Sequence, residues 1–229
     1  MNKELDQFIY SASHDLKAPL SSLLGLINIV RIEIGPSKYD DYFEMMESSI
    51  KRLENHIKDI IQYSKNHQLD ITLQEIKLRN TIELIISQLK YQKGAEGMEI
   101  KIEVIDKVPF YSDSMRLNMV LFNLISNAFK YHDKLKEKKG IVISATINAK
   151  TAQISVADNG LGIEKKHLIK IFELFFRGTI QSTGSGLGLY IAKEALDKLK
   201  GNIKVKSEIG IGSVFVVNIP NHFSDIPTR

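Results

Sequence analysis

LDQFIYSASHDLKAPLSSLLGLINIVRIEIGPSKYDDYFEMMESSIKRLENHIKDIIQYSK, residues 5–65, decides the architecture of the N-terminal part. From Leu5 the apolar residues fall at Ile9, Ala12, Leu16, Leu20, Leu23, Ile27, Val30 and Ile34, in steps of three and four. That spacing predicts a helix with a narrow apolar seam. Gly35, Pro36 and Ser37 break it, and a second seam runs through Tyr39, Phe43, Met46, Ile50, Leu53, Ile57 and Ile60. The pair is an antiparallel helical hairpin with arms of ~30 residues, ~45 Å long. Two such helices leave their seams half open, whereas two copies close into a four-helix bundle, so the pattern predicts a twofold homodimer.

After Lys65 the seam ends, a linker is expected around Asn66 to Leu69, and the domains are set at 1–67 and 68–229. Period-two patterns at Glu99–Asp106, Ile141–Ile147, Gln153–Val156, Ile203–Lys206 and Val214–Ile219 predict strands. Helical patterns lie between them at Arg79–Lys93, Asp113–Tyr131 and Leu187–Lys200. The fold class is therefore α+β: the hairpin, then an α/β sandwich with a mixed sheet covered by helices on one face.

Composition narrows the function. Of 229 residues 43% are hydrophobic, enough for a real core, and the absence of cysteine removes disulfides and thiolate metal sites. A net charge of +4 with interspersed signs lacks the clustered basic footprint of a nucleic-acid binder, so no nucleic-acid partner is expected. The densest basic stretch, Lys134 to Lys139, lies between helix and strand, where a solvated loop explains it without a function. No run approaches the ~20 apolar residues of a membrane span, and no signal peptide follows Met1.

Several polar groups stand out. His14 is two residues from both Ala12 and Leu16, which turns it away from the seam toward water, beside Tyr10, Lys17, Ser21, Gly25 and Asn28. A lone exposed histidine is ordinary, but Pro19 inside the same helix costs ~3 kcal/mol and asks for a reason. Asn123, Asn127 and Lys130 share one helical stripe and could converge on a ligand, the amides on Mg²⁺ and the lysine on phosphates, although solvent-facing residues would look the same. Asp158 follows a strand whose Ile154 and Val156 face inward, and its parity matches theirs. A buried acid needs a partner. An adenine amino group suits it, with Gly160 and Gly162 letting the backbone lie against the ring, although Asp-Asn-Gly is also a turn sequence. Ile163 to Phe172 continues with helical spacing rather than a partner strand. Gly184-Ser185-Gly186-Leu187-Gly188 precedes an amphipathic helix, where backbone amides can receive phosphate, and lacks the Gly-Lys-(Ser/Thr) of a P-loop.

Ser13-His14-Asp15-Leu16-Lys17-Ala18-Pro19-Leu20 resembles the H-box of histidine kinases, and Asn123 to Tyr131, Asp158 to Ile163, Phe172 to Phe176 and Gly184 to Leu189 resemble their N, G1, F and G2 boxes in order. The resemblance implies a two-component sensor kinase that uses ATP to phosphorylate His14 and passes the phosphoryl group to the receiver domain of a response regulator. It makes Asp15 the acid that orients the imidazole or takes its proton. It makes Asn127 the principal Mg²⁺ ligand, with Asn123 beside it, and Asp158 the adenine contact. Lys130, Tyr131, Gly160, Gly162, Phe175, Arg177, Gly184, Gly186, Leu187 and Gly188 complete the implied nucleotide site, and the loop between the G1 and G2 boxes would be its lid. Family members often have Thr or Asn where this chain has Ala18, so dephosphorylation of the regulator is expected to be weak. The resemblance further implies a sensor region upstream of this chain, with this fragment cytoplasmic and the full-length protein membrane-anchored or PAS-linked. Two alternatives stand beside it. An ATPase of the same superfamily without phosphotransfer would usually carry Glu at position 123 and no H-box hairpin, and a non-catalytic dimerisation module would not need the intact boxes.

Overall fold

A computed structural model describes residues 3–35, 39–91, 97–178 and 185–225, the side chains of 3–15, 17–19 and 225 excepted. Contacts divide it into two compact units, Met1–Leu69 with Gln181–Gly188, and Asp70–Ile180 with Leu189–Arg229.

The first unit is built on two long helices, α1 (Lys3–Ile34) and α2 (Asp40–Gln68). The apolar seam is shared between two faces. Leu20 and Ile27 of α1 bury against Ile50 and Ile57 of α2, with Leu24, Phe43 and Ile61 packed around them. The intervening seam residues, Leu16, Leu23, Val30, Met46 and Leu53, stay exposed in the single chain, Leu16 at 55% and Leu53 at 51%. Near the connected end of the hairpin Arg31 pairs with Glu47 at 2.9 Å and lies over the Phe43 ring. α2 does not stop at Lys65 as its seam does. It continues to Gln68, with Ser64 and Asn66 buried in its last turns, so the expected linker around 66–69 is helical to Gln68.

The second unit holds a five-stranded sheet. Its strands are β2 (Met98–Asp106), β4 (Lys139–Ile147), β5 (Thr151–Asp158), β6 (Asn202–Glu208) and β7 (Gly212–Pro220), ordered β2-β4-β5-β7-β6. β2 and β4 are parallel and the other pairs antiparallel, so the sheet is mixed as expected. Strict alternation places Ile141, Ile143, Ala145, Ile147, Ile154, Val156, Phe215, Val217 and Ile219 inside. On the other face Gln153, Asn218 and Asn202 form a ladder of amide hydrogen bonds across β5, β7 and β6. Buried residues of α3 (Leu78–Leu89), α4 (Ser114–Lys130) and α5 (Gly188–Lys198) complete the core.

Two three-residue strands, β1 (Leu73–Glu75) and β3 (Tyr111–Asp113), pair antiparallel and lead into α4. Asp113 caps that helix: its Oδ1 accepts from the Arg116 amide at 2.9 Å. Its Oδ2 accepts from Arg116 Nη1 at 2.8 Å and from the Thr72 amide at 2.9 Å. Both side chains of this ion pair are buried, so the charges are compensated by each other and by these hydrogen bonds. The stretch from Ile163 to Phe172 is not the expected helix; it makes a single 3₁₀ turn, Lys165–His167, followed by turns. Among the described residues no helix is long and apolar enough to cross a membrane.

Candidate functional site

The site is built where the C-terminal end of α4 meets the loop after β5. α4 is buried nearly all round, which fixes the few polar groups it carries. Asn123 is one of the buried ones, and its Nδ2 donates to the Met119 carbonyl one turn back at 2.8 Å, while among the described residues no donor meets its Oδ1. Asn127, one turn on, is half-buried and its side chain makes no hydrogen bond among the described residues. Lys130 is exposed and lies over the Tyr131 ring at 4.9 Å.

Tyr131 joins helix to loop through its backbone. Its amide donates to the Asn127 carbonyl at 2.9 Å, and its carbonyl accepts from Leu161 at 3.0 Å. Asp158 is half-buried, as its parity in β5 predicts. Its Oδ1 accepts from the Gly160 amide at 2.8 Å. Burial pushes the carboxyl above its ordinary range, and amide donors from Gly160 and Ser213 and the cation of Lys136 partly oppose that rise.

The glycines of this loop meet a demand of the fold itself. A Cβ at Gly160 would lie 2.3 Å from the Tyr131 carbonyl oxygen. At Gly162, where φ is +73°, a Cβ would lie 2.0 Å from the Glu208 carbonyl oxygen. They admit neighbouring backbone, so that the Asp158 loop can seat on α4 and the β6–β7 turn. Gly212 does the same from the other side, where a Cβ would lie 2.0 Å from the Asp158 carbonyl oxygen.

Three residues outside the expected set complete the seating. Asn159 Oδ1 accepts from Gly140 and its Nδ2 donates to the Lys138 carbonyl, both at 2.9 Å. Ser207 Oγ accepts from the Ile163 amide at 2.8 Å and donates to the Gly212 carbonyl at 2.9 Å. Lys136, in the basic stretch read as a solvated loop, is half-buried and donates to backbone carbonyls of the Asp158 loop and the β6–β7 turn. Nothing in a run of four lysines distinguishes the one that folds inward.

Farther along, Phe176 packs edge-on to His167 with centroids 5.5 Å apart, while Phe175 is 65% exposed and held at φ of +61°, a strained value for a side chain of its size. Phe172 is half-buried and Arg177 exposed. Of the Gly184–Gly188 stretch, Gly186 has φ of +76° and Leu187 is buried, with its amide donating to Ser185 Oγ at 3.0 Å. Gly188 opens α5, so the stretch leads directly into a helix N-terminus. Gly184 and the side chains of His14, Asp15 and Ala18 lie outside the described residues.

Residues 4–69 match the family model of the His Kinase A (phospho-acceptor) domain, and residues 112–222 that of the histidine kinase-, DNA gyrase B- and HSP90-like ATPase. The sensor histidine kinase RcsC of Escherichia coli is 32% identical over 97% of this chain, which covers 24% of RcsC. The autoinducer 2 sensor kinase/phosphatase LuxQ of Vibrio parahaemolyticus is 29% identical over 93% of this chain, which covers 26% of LuxQ. Full-length ShkA, solved in complex with AMPPNP, shares the fold with a TM-score of 0.73 at 24% identity over 94% of this chain and 46% of ShkA. The chain belongs to the sensor histidine kinases, whose phosphoacceptor and ATPase domains it carries as one catalytic core. It spans about a quarter of the length of the curated relatives LuxQ and RcsC.

Proposed function

We propose that this core binds ATP with Mg²⁺, phosphorylates His14, and passes the phosphoryl group to an aspartate on the receiver domain of a response regulator. The observation that carries the nucleotide part is the chain of contacts from Asn127 through Tyr131 to the Asp158 loop. It sets an unpartnered amide and a half-buried carboxylate at one end of α4. Asp158 reads the amino group of adenine. Asn127, aided by Oδ1 of Asn123, supplies the protein's oxygen ligand to the cation. Among the described residues no three His, Cys, Asp or Glu gather to cage a metal. An amide oxygen together with phosphate oxygens suits Mg²⁺, which takes few protein ligands. Lys130 and Arg177 are exposed cations for the phosphates, and Gly188 opens a helix whose N-terminal amides suit a phosphate.

The bound Mg²⁺ supplies charge neutralisation on the phosphates. A ring nitrogen of His14 supplies the lone pair for the new P–N bond as the bond to ADP breaks, and Asp15 orients the ring or takes its proton. The open half of the helical seam supports a homodimer, because Leu16, Leu23, Val30, Met46 and Leu53 repeat down the hairpin and stay exposed among the described residues of the single chain. Ala18 offers neither donor nor acceptor to a water attacking a phosphorylated regulator, so dephosphorylation is weak.

Asn127→Ala tests the metal assignment. Phosphorylation with Mg²⁺ falls by well over tenfold, while nucleotide affinity without Mg²⁺ holds. Equal losses with and without the metal would take Asn127 out of the cation site.

A further inference from the structure

We propose that Lys136 is a positioning residue of the nucleotide site: its ammonium ties the loop carrying Asp158 to the β6–β7 turn and so sets where the Asp158 carboxylate is presented. The inference rests on the reading of Asp158 as the group that meets adenine.

Lys136 Nζ donates to the Asn159 carbonyl at 2.6 Å, to the Ile211 carbonyl at 3.2 Å and, at the long limit of 3.5 Å, to the Gly160 carbonyl. An ammonium has three N–H donors, and three backbone carbonyls from two separate segments meet them. The cation is thereby committed to backbone carbonyls rather than to a phosphate. Its partners flank Asp158 on both sides, because Asn159 and Gly160 follow it directly and Ile211 belongs to the turn that opens β7, where Ser213 is the register partner of Asp158. Other bonds join the same two segments, Gly210 N to the Leu161 carbonyl at 2.9 Å and Ile163 N to Ser207 Oγ. They hold the far end of the loop; Asn159 is also bonded to Gly140 and to the Lys138 carbonyl, and the Asn159 and Gly160 carbonyls are joined to the β6–β7 turn through Lys136. Lys136 is also a cation that favours the ionised form of Asp158.

A lysine that merely stabilised the domain would lower the melting temperature and leave affinity alone, or add its loss to that of any other site variant. A lysine that acts through Asp158 loses its effect once Asp158 is altered. ATP affinity is therefore measured by calorimetry on the whole chain for Lys136→Met, Asp158→Asn and the double variant. Lys136→Met, which keeps the stem and removes the donors, weakens ATP binding about five- to tenfold. The double variant binds within about twofold of Asp158→Asn alone. Multiplying losses, or wild-type affinity in Lys136→Met, would overturn the proposal. Wild-type affinity in Asp158→Asn would instead remove the adenine reading, and the role of Lys136 with it. If Lys136→Met does not fold, Lys136→Arg serves, since it keeps the charge but not the tetrahedral spread of donors, and its smaller loss must vanish in the same way beside Asp158→Asn.

Discussion

Asp158, which we propose meets adenine, is a carboxylate kept at a cost to stability. Burial pushes its carboxyl above the ordinary range, so in the nucleotide-free protein ionising it costs the folded state more than the unfolded one. The sign follows from the raised value. Stability linked to this group is full below the ordinary pKa of 3.8 and is lost as pH rises through the folded value. Asp158→Asn should therefore raise the melting temperature of the nucleotide-free protein at neutral pH, and the gain should vanish as pH falls toward 3.8. The same variant should weaken ATP binding by ~1 to 3 kcal/mol, about 10- to 100-fold, because an amide cannot match the acceptors of a carboxylate. Calorimetry and a melting series across pH read both effects, and a variant that lost stability at neutral pH would contradict them. Strand parity made Asp158 legible in the sequence. Lys136 was not, because a lysine's direction depends on which carbonyls lie within reach, and those come from residues 23 and 75 positions away.

Among the elements, long and regular ones could be read directly: both hairpin helices and all five strands of the main sheet follow their apolar periodicity. β1 and β3 escaped notice because three residues are too short to show alternation, and their position depends on the buried pair of Asp113 and Arg116. Neither the extension of α2 beyond its seam nor the lack of a helix after Ile163 is written in local spacing alone. Local spacing shows which side chains match a helix, whereas the glycines and distant partners decide where the chain bends. Gly162 illustrates this, since its backbone sits at positive φ against the Glu208 carbonyl. Gly162→Ala should cost upward of ~2 kcal/mol in urea unfolding, from strain and displaced backbone together, whereas Gly25→Ala, where nothing lies within 4 Å, should stabilise α1 by a few tenths or more. Equal stability of the two variants would show that the loop does not need its close seat.

For the whole molecule, the hairpin and the sheet unit carry separable tasks, and each can be disabled alone. Leu23→Glu with Leu53→Glu places charges on the open half of the seam, both residues being exposed within their own chain. Light scattering should show the dimer replaced by monomer, with ATP affinity within about twofold of the unaltered protein, because the changes lie in the hairpin unit and the Asp158 loop in the sheet unit. A dimer that persisted would mean that copies meet elsewhere. The central claim is that the sheet unit delivers a phosphoryl group to one histidine of the hairpin. It is tested most directly by incubating the chain with γ-labelled ATP and Mg²⁺ and following the label on the protein. The predicted result is an acid-labile, alkali-stable label that is lost in His14→Gln, while that variant keeps its ATP affinity. Release of free phosphate without labelled protein, or alkali-stable label retained by His14→Gln, would contradict it.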